Sequence, residues 1–273
     1  MGVSVNTNVG AMAALQSLNE TSKSLATTQS RINTGLNVAS TKDDSASFTI
    51  AQSLRGDLGG LKAVTSSLNR AKSVTDVAVA GAEQISDLVN QMKAKAYEAA
   101  DEGVDANSRT AIAKDFDALK AQITTIIDSS EFNGTNLLKG GAGDVKALQS
   151  LNTAGATLDV SNQGFDASVT TAIGTTFTDA TTAKAMIAKL DTVQTSIKTS
   201  LSELGSASRK IDGQISFTSK LSDVITSGIG NLVDADLAKE SAKLQALQVK
   251  QQLGVQALSI ANQAPQSIMS LFR

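Results

Sequence analysis

Residues 54–92 read LRGDLGGLKAVTSSLNRAKSVTDVAVAGAEQISDLVNQM. Apolar or small side chains recur in this stretch at Leu54, Leu58, Leu61, Val64, Leu68, Ala71, Val74, Ala78, Gly81, Ile85, Leu88 and Met92. Each step is three or four residues, the spacing that stacks side chains on one face of an α-helix. No proline interrupts it, and it outruns the roughly 8–20 residues of an ordinary globular helix, so such a helix needs long neighbours. A second run of the same kind reads Leu190, Val193, Ile197, Leu201, Leu204, Ser208, Ile211 and Ile215, then Ile225, Ile229 and Leu232. Mixed three- and four-residue steps sustained this far predict long helices packed side by side, as in a bundle or coiled coil. Between the two runs, Ile112, Phe116, Leu119, Ile123 and Ile126 predict a shorter amphipathic helix. Asp105 or Asn107 can cap its start, and the turn-forming pair Asn133-Gly134 should stop it.

The texture changes over residues 140–182 to Thr, Gly, Ala and Ser. Two extended-looking runs, Thr157–Val160 and residues 168–173, predict irregular structure with one β-hairpin. The single proline, Pro265, should end or kink a helix through its ring and its missing N–H. Ser40, followed by Lys42-Asp43-Asp44, has the form of a helix cap with acids in the first turn.

The two ends of the chain match each other. Near the start, Leu15, Leu18, Leu25 and Ile32 fit the a and d positions of a heptad, with polar Ser22 and Gln29 at the remaining a sites. Near the end, Leu237, Leu244 and Leu258 fit a, while Leu247, Ala261 and Ile268 fit d; Gln251 and Gly254 weaken the pattern. Each end is thus a narrow apolar seam on a mostly polar helix. Such a seam buries too little to offset backbone ordering at about 1–2 kcal/mol per residue, so each end needs a partner helix.

Composition removes most chemistry. The chain has 273 residues, no cysteine and no histidine, which excludes disulfides, thiolate nucleophiles, Cys-ligated metals and the commonest general base. A net charge of −2 with no block of like charge gives no field to gather nucleic acid or anionic lipid. Neither a cleaved signal peptide nor a membrane span is legible, so the chain is expected to stay inside or to leave by a route needing neither. Lys139-Gly140-Gly141-Ala142-Gly143-Asp144 lacks the GK[ST] element of a phosphate loop and reads as a flexible loop. Asp234, Asp236 and Glu240 are not brought together by helical spacing and read as acids favouring a helix N-terminus rather than as a metal site. Asn19-Glu20-Thr21 and Asn133-Gly134-Thr135 match a glycosylation triplet that arises often by chance. No cofactor and no catalytic cluster can be assembled from these residues.

The terminal motifs resemble those of a known family. Residues 29–46, QSRINTGLNVASTKDDSA, with Ile50-Ala51 and the earlier Val5-Asn6-Thr7-Asn8, are similar to the N-terminal signature of bacterial flagellins. Asp234-Ala235-Asp236 with Glu240, Gln251-Gln252, Ala261-Asn262-Gln263-Ala264-Pro265-Gln266 and Leu271 resemble the C-terminal signature. Glu131-Phe132-Asn133-Gly134-Thr135-Asn136-Leu137-Leu138 resembles the turn after the second long helix. The likeness covers about the first 140 and the last 90 residues in order, which is more specific than any single motif.

The resemblance implies a mainly α fold: a long antiparallel bundle or coiled coil formed by the N- and C-terminal segments, with a small irregular or β-hairpin outer region. It implies filament-core segments at 1–42 and 234–273, halves of a long-helix bundle at 43–139 and 183–233, and a short variable region at 140–182. The implied function is that of a structural subunit, not an enzyme, polymerising into the extracellular flagellar filament for swimming motility. A hook–filament junction protein and a surface adhesin are the alternatives. The assembly residues would be Leu15, Leu18, Leu25, Ile32, Leu237, Leu244, Leu247, Leu258, Ala261, Ile268 and Leu271. Implied partners are further flagellin subunits, the export apparatus and an export chaperone, and the filament cap and hook–filament junction proteins, with no nucleic acid, membrane or cofactor.

Overall fold

The structure, a computed structural model, describes residues 7–151 and 157–271, with only the backbone of residues 264–271. Five helices dominate: α1 (Val9–Thr34), α2 (Ser45–Ala100), α3 (Ala106–Ser129), α4 (Ala180–Val233) and α5 (Leu237–Leu271). Two short strands, β1 (Val145–Leu148) and β2 (Thr157–Val160), lie between α3 and α4. The chain divides into two compact units, Asp57–Asp223 and the residues flanking it on both sides. The divide falls inside α2 and inside α4, so each of these helices serves both units.

In the central unit the predicted stripe of α2 is the core. Val64, Leu68, Ala71, Val74, Ala78, Ile85 and Met92 are buried with Phe116, Ile123 and Ile127 of α3 and with Leu190, Val193, Ile197, Leu204 and Ile211 of α4. Phe116 and Phe177 meet edge to face at 5.2 Å between ring centroids, a pairing that adds to their area burial. On the polar edge of the α2–α4 pair, Lys72 binds Asp212 at 2.6 Å and Lys93 binds Asp191. Partner numbers fall on α4 as they rise on α2, so the helices are antiparallel. Hydrogen bonds donated to these carboxylates push both ammonium groups above their ordinary pKa. Exposed pairs of this kind stabilise little, but their spacing fixes which turns lie side by side.

Asp105, not Asn107, caps α3: its carboxylate accepts from the N–H groups of Asn107 (2.8 Å) and Ser108 (3.0 Å). The Ser108 hydroxyl and these amides hold that carboxyl below its usual range. The helix ends at Ser129, before the expected stop. Asn133 (φ 52°) and Gly134 (φ 79°) instead make a tight hairpin turn closed by reciprocal Phe132–Thr135 bonds, which needs two residues tolerant of positive φ.

Buried Asn136 then anchors the outer segment. Its Nδ2 donates to Ile127 O (2.6 Å), and its Oδ1 accepts from Leu138 N (2.8 Å) and Lys139 N (3.0 Å). Asn136→Ala leaves all three partners wanting, so it should cost about 3 kcal/mol. The check is a lower urea midpoint at unchanged m-value.

β1 and β2 pair antiparallel, Val145 opposite Val160 and Leu148 opposite Thr157, with Ala147, Leu158 and Val160 inward. The expected hairpin is therefore present, but residues 168–173 are no strand. They coil, with a π-helical turn at Asp166–Thr171. Phe165, Val169 and Ile173 are fully buried at four-residue spacing, a helical period and not the alternation of a strand. The Thr170 and Thr171 hydroxyls bond back to Asp166 O (2.6 and 2.8 Å), which helps to satisfy the widened turn. Among the described residues, no helix is long and apolar enough to cross a membrane.

Candidate functional site

The flanking unit covers apolar side chains in two places. The first is a small core of Val38, Ala51 and Val233, with Leu36, Phe48, Ile229 and Leu232 packed on it. Backbone bonds from Asn37 N and Val38 N to Val233 O, and from Ala235 N to Gly35 O, strap the segment after α1 to the junction of α4 and α5. Asp44, not Ser40, caps α2, accepting from Ala46 N (2.9 Å) and Ser47 N (3.2 Å). Ser40 belongs instead to a turn in which Asp43 accepts from Ala39 N, Ser40 N and the Ser40 hydroxyl. Hydrogen bonds from the Ser40 and Ser47 hydroxyls hold the Asp43 and Asp44 carboxyls, respectively, below their ordinary pKa. Asp236 caps α5 in the same way through Ala238 N and Lys239 N.

The second place is the seam between α1 and α5. These two helices approach closely along much of their length. The sequence explains the close approach. On α1 the residues turned inward are Ala11, Ala14, Leu18, Thr21, Leu25, Thr28 and Ile32; on α5 they are Glu240, Leu244, Leu247, Gln251, Gly254, Leu258 and Ala261. Both sets step by three and four, and small side chains alternate with large ones, so leucines enter the gaps that Ala, Thr and Gly leave. At Gly254 an added Cβ would lie 3.3 Å from Leu18 Cδ1, so any side chain there would push Leu18 away. Asn8 closes the far end, its Nδ2 donating to Ala261 O at 2.7 Å.

Of the expected seam residues, Leu18, Leu25, Ile32, Leu244, Leu247, Leu258 and Ala261 are half-buried. At the a positions of α1, Ala14, Thr21 and Thr28 turn inward where the pattern expected Leu15, Ser22 and Gln29. Leu15 and Leu237 are each 49% exposed and lie outside the pair. Both frames share Leu18, Leu25 and Ile32, and close packing selects the smaller residues. Leu247 is thus partly covered within a single chain, not only after assembly. The α5 helix also continues through Pro265 to Leu271 and does not end there. The side chains of Ile268 and Leu271, and Val5-Asn6, lie outside the described residues.

A second apolar stripe escaped the sequence reading. Val249, Leu253 and Ile260 are 56%, 58% and 69% exposed on α5, and helical spacing sets them on the face opposite the seam. Val9 and Met12, with Leu15, are likewise exposed on α1. An α5 that is apolar on two faces suits a helix with a second neighbour.

Comparison with known proteins agrees with this geometry. The model of the bacterial flagellin N-terminal helical region matches residues 5–142, and that of the C-terminal helical region matches residues 187–272. The chain is 45% identical over 273 residues to Flagellin FljK of Caulobacter vibrioides, covering 99% of this chain and 98% of that one. It is 38% identical over 281 residues to a flagellin of Brucella melitensis, covering 99% of each. The crystal structure of Bacillus cereus flagellin aligns with a TM-score of 0.51 at 25% identity, over 55% of this chain and 86% of that one. These matches favour neither the adhesin nor the hook–filament junction reading. With flagellin models matching both ends and flagellin relatives spanning its length, the chain belongs to the bacterial flagellin family: it is a structural subunit of the flagellar filament and not an enzyme.

Proposed function

We propose that the α1–α5 pair is the polymerisation element of this flagellin, and that the outward residues Val9, Met12, Leu15, Val249, Leu253 and Ile260 meet the pairs of neighbouring subunits. One observation carries this: α5 spends one apolar face on α1 and leaves a second uncovered over several turns, and soluble monomers rarely keep such stripes in water. Residues 1–42 and 234–273 then form the filament core, residues 43–139 and 183–233 the bundle, and residues 140–182 the outward part. Leu18, Leu25, Ile32, Leu244, Leu247, Leu258 and Ala261 contribute by holding the pair together, and Ile268, Leu271 and Leu237 by extending its surface. A contact made head to tail by every subunit, with a rotation that does not close, generates an open helical polymer.

In this reading the subunit leaves the cell unfolded through the flagellar export apparatus, escorted by an export chaperone. It joins the filament beneath the cap, beyond the hook–filament junction. A chain with no cysteine cannot be locked in a fold by oxidation on the way. The test is electron microscopy and sedimentation after adding a precipitating salt to purified full-length protein. The original chain should give filaments and Leu253→Asp only soluble subunits. Filaments from Leu253→Asp at the original yield would sink the assignment of this face.

A further inference from the structure

Four polar residues lie where a helix pair should be driest. Thr21 and Thr28 on α1 are buried, Thr28 completely, and Glu240 on α5 is 8% exposed. Arg31 reaches across the seam, Nη1 to Glu240 Oε1 at 3.3 Å. Thr21 satisfies its hydroxyl on Ser17 O at 2.8 Å. The others are incompletely satisfied: Thr28 Oγ1, Arg31 Nε and Glu240 Oε2 have no hydrogen-bond partner, although Lys243 Nζ stands 4.0 Å from that Glu240 oxygen. An ion pair whose Glu240 side chain is 10% exposed and whose Arg31 side chain is 27% exposed, with spare hydrogen-bonding capacity, is a poor source of stability, and apolar side chains of similar volume can hold helices together as well or better. The layer needs another reason.

Its position along the seam supplies one. Leu18 at Gly254 and Arg31 at Glu240 mark a single antiparallel register, confirmed at the far end by Asn8 at Ala261. By the a/d pattern alone a slip of seven residues restores a/d to a/d. The backbone bonds of Asn37, Val38 and Ala235 and the fit of Leu18 at Gly254 oppose such a slip at the turn and along the seam, and the charged layer adds to them. The charges break that degeneracy in both directions. A slip one way brings Glu240 level with Leu25 and carries Arg31 past the start of α5. A slip the other way brings Arg31 level with Leu247 and carries Glu240 past the end of α1, where Gly35 begins the turn. Either slip strands one charge against leucine and parts it from its counter-ion, the costly arrangement for a covered charge.

We propose that Arg31 and Glu240, set in the polar layer with Thr28, are positioning residues that select one register between α1 and α5, at some cost in the strength of the pair. This holds whether or not the outward stripe carries polymerisation, since it concerns contacts within one chain. A chain assembled from many copies needs the selection, because a subunit slipped by one heptad displaces its terminal helices by about 10 Å and presents the wrong surface to the next.

The cysteine-free chain makes the test clean. Leu18→Cys with Gly254→Cys reports the native register: a Cβ at 254 lies 3.9 Å from Leu18 Cβ, within disulfide reach. Leu18→Cys with Leu247→Cys and Leu18→Cys with Ala261→Cys report slips of one heptad each way. Full-length protein is oxidised both as soluble subunit and after salt-induced polymerisation, and cross-links are mapped by mass spectrometry. In the otherwise original chain only the native pair should close. With Arg31→Leu and Glu240→Leu added, the slipped pairs should close at a tenth of the native yield or more. The charge exchange Arg31→Glu with Glu240→Arg should return the native pair alone. Slipped pairs that stay absent in the leucine variant overturn the proposal. So does a leucine variant giving no cross-link in any pair, because an apolar seam should hold more tightly, and so does slippage in the original chain.

Discussion

Leu68→Asp should lower the melting temperature of the full-length subunit by about 10 °C or more. Leu68 is fully buried in the middle of the α2 stripe, among residues of the central unit's core. The substitution removes a leucine's burial, worth roughly 2–5 kcal/mol in a core that cannot collapse, and adds a carboxyl with no partner. The group will take up a proton in preference to staying charged, which limits the penalty to several kcal/mol. For a unit of this size each kcal/mol moves the midpoint by about 2–4 °C. Circular dichroism at 222 nm, followed with temperature, reads it directly; a fall of less than about 3 °C would remove Leu68 from the core.

Leu247→Asp should do the reverse: polymerisation is lost while the main melting transition stays within about 2 °C of the original. Leu247 is half-buried in the α1–α5 seam and belongs to the unit that excludes the Leu68 core. A carboxylate there opposes pairing of the terminal helices, and a polymer repeats the defect in every subunit, so a small loss per contact becomes failure of the whole. Sedimentation after salt addition measures the polymer and calorimetry the melting. Filaments of normal yield, or a melting loss matching that of Leu68→Asp, would refute the separation of the two roles. The pair of variants also distinguishes general unfolding from loss of one interface, which neither does alone.

What could be read from the sequence, and what could not, follows from how many neighbours each residue has. The stripe from Leu61 to Met92 and that from Leu190 to Ile211 were legible because bundle helices bury large residues on one face, and no other period fits. The hairpin strand Thr157–Val160 was legible from its alternation. The segment from Phe165 to Ile173 was misread because Val and Thr favour extended backbone locally, while its four-residue period shows only once Phe165 is included. The α1 seam failed differently. Choosing Leu15 over Ala14 is sound when hydrophobicity sets the contact, but here helix separation sets it, and separation depends on both helices at once. Capping was ambiguous for a related reason: Ser40, Asp43 and Asp44 are all competent, and only the path of the chain between Gly35 and Ser45 selects Asp44. The exposed stripe Val249, Leu253 and Ile260 was present in the sequence but was hidden by the assumption of one apolar face per helix.

The alternation of small and large residues between α1 and α5 also bears on how this molecule can change over generations. In the central bundle, trimming a side chain such as Phe116 leaves a void and adding bulk strains the packing, so both directions cost stability. Between the terminal helices the two directions are unequal. A side chain added at Gly254 would meet Leu18 Cδ1 at 3.3 Å and must displace it, while trimming a half-buried residue there uncovers less apolar surface than in the bundle. Where a leucine faces position 254, a glycine should therefore persist there over generations while the polar faces of both helices drift.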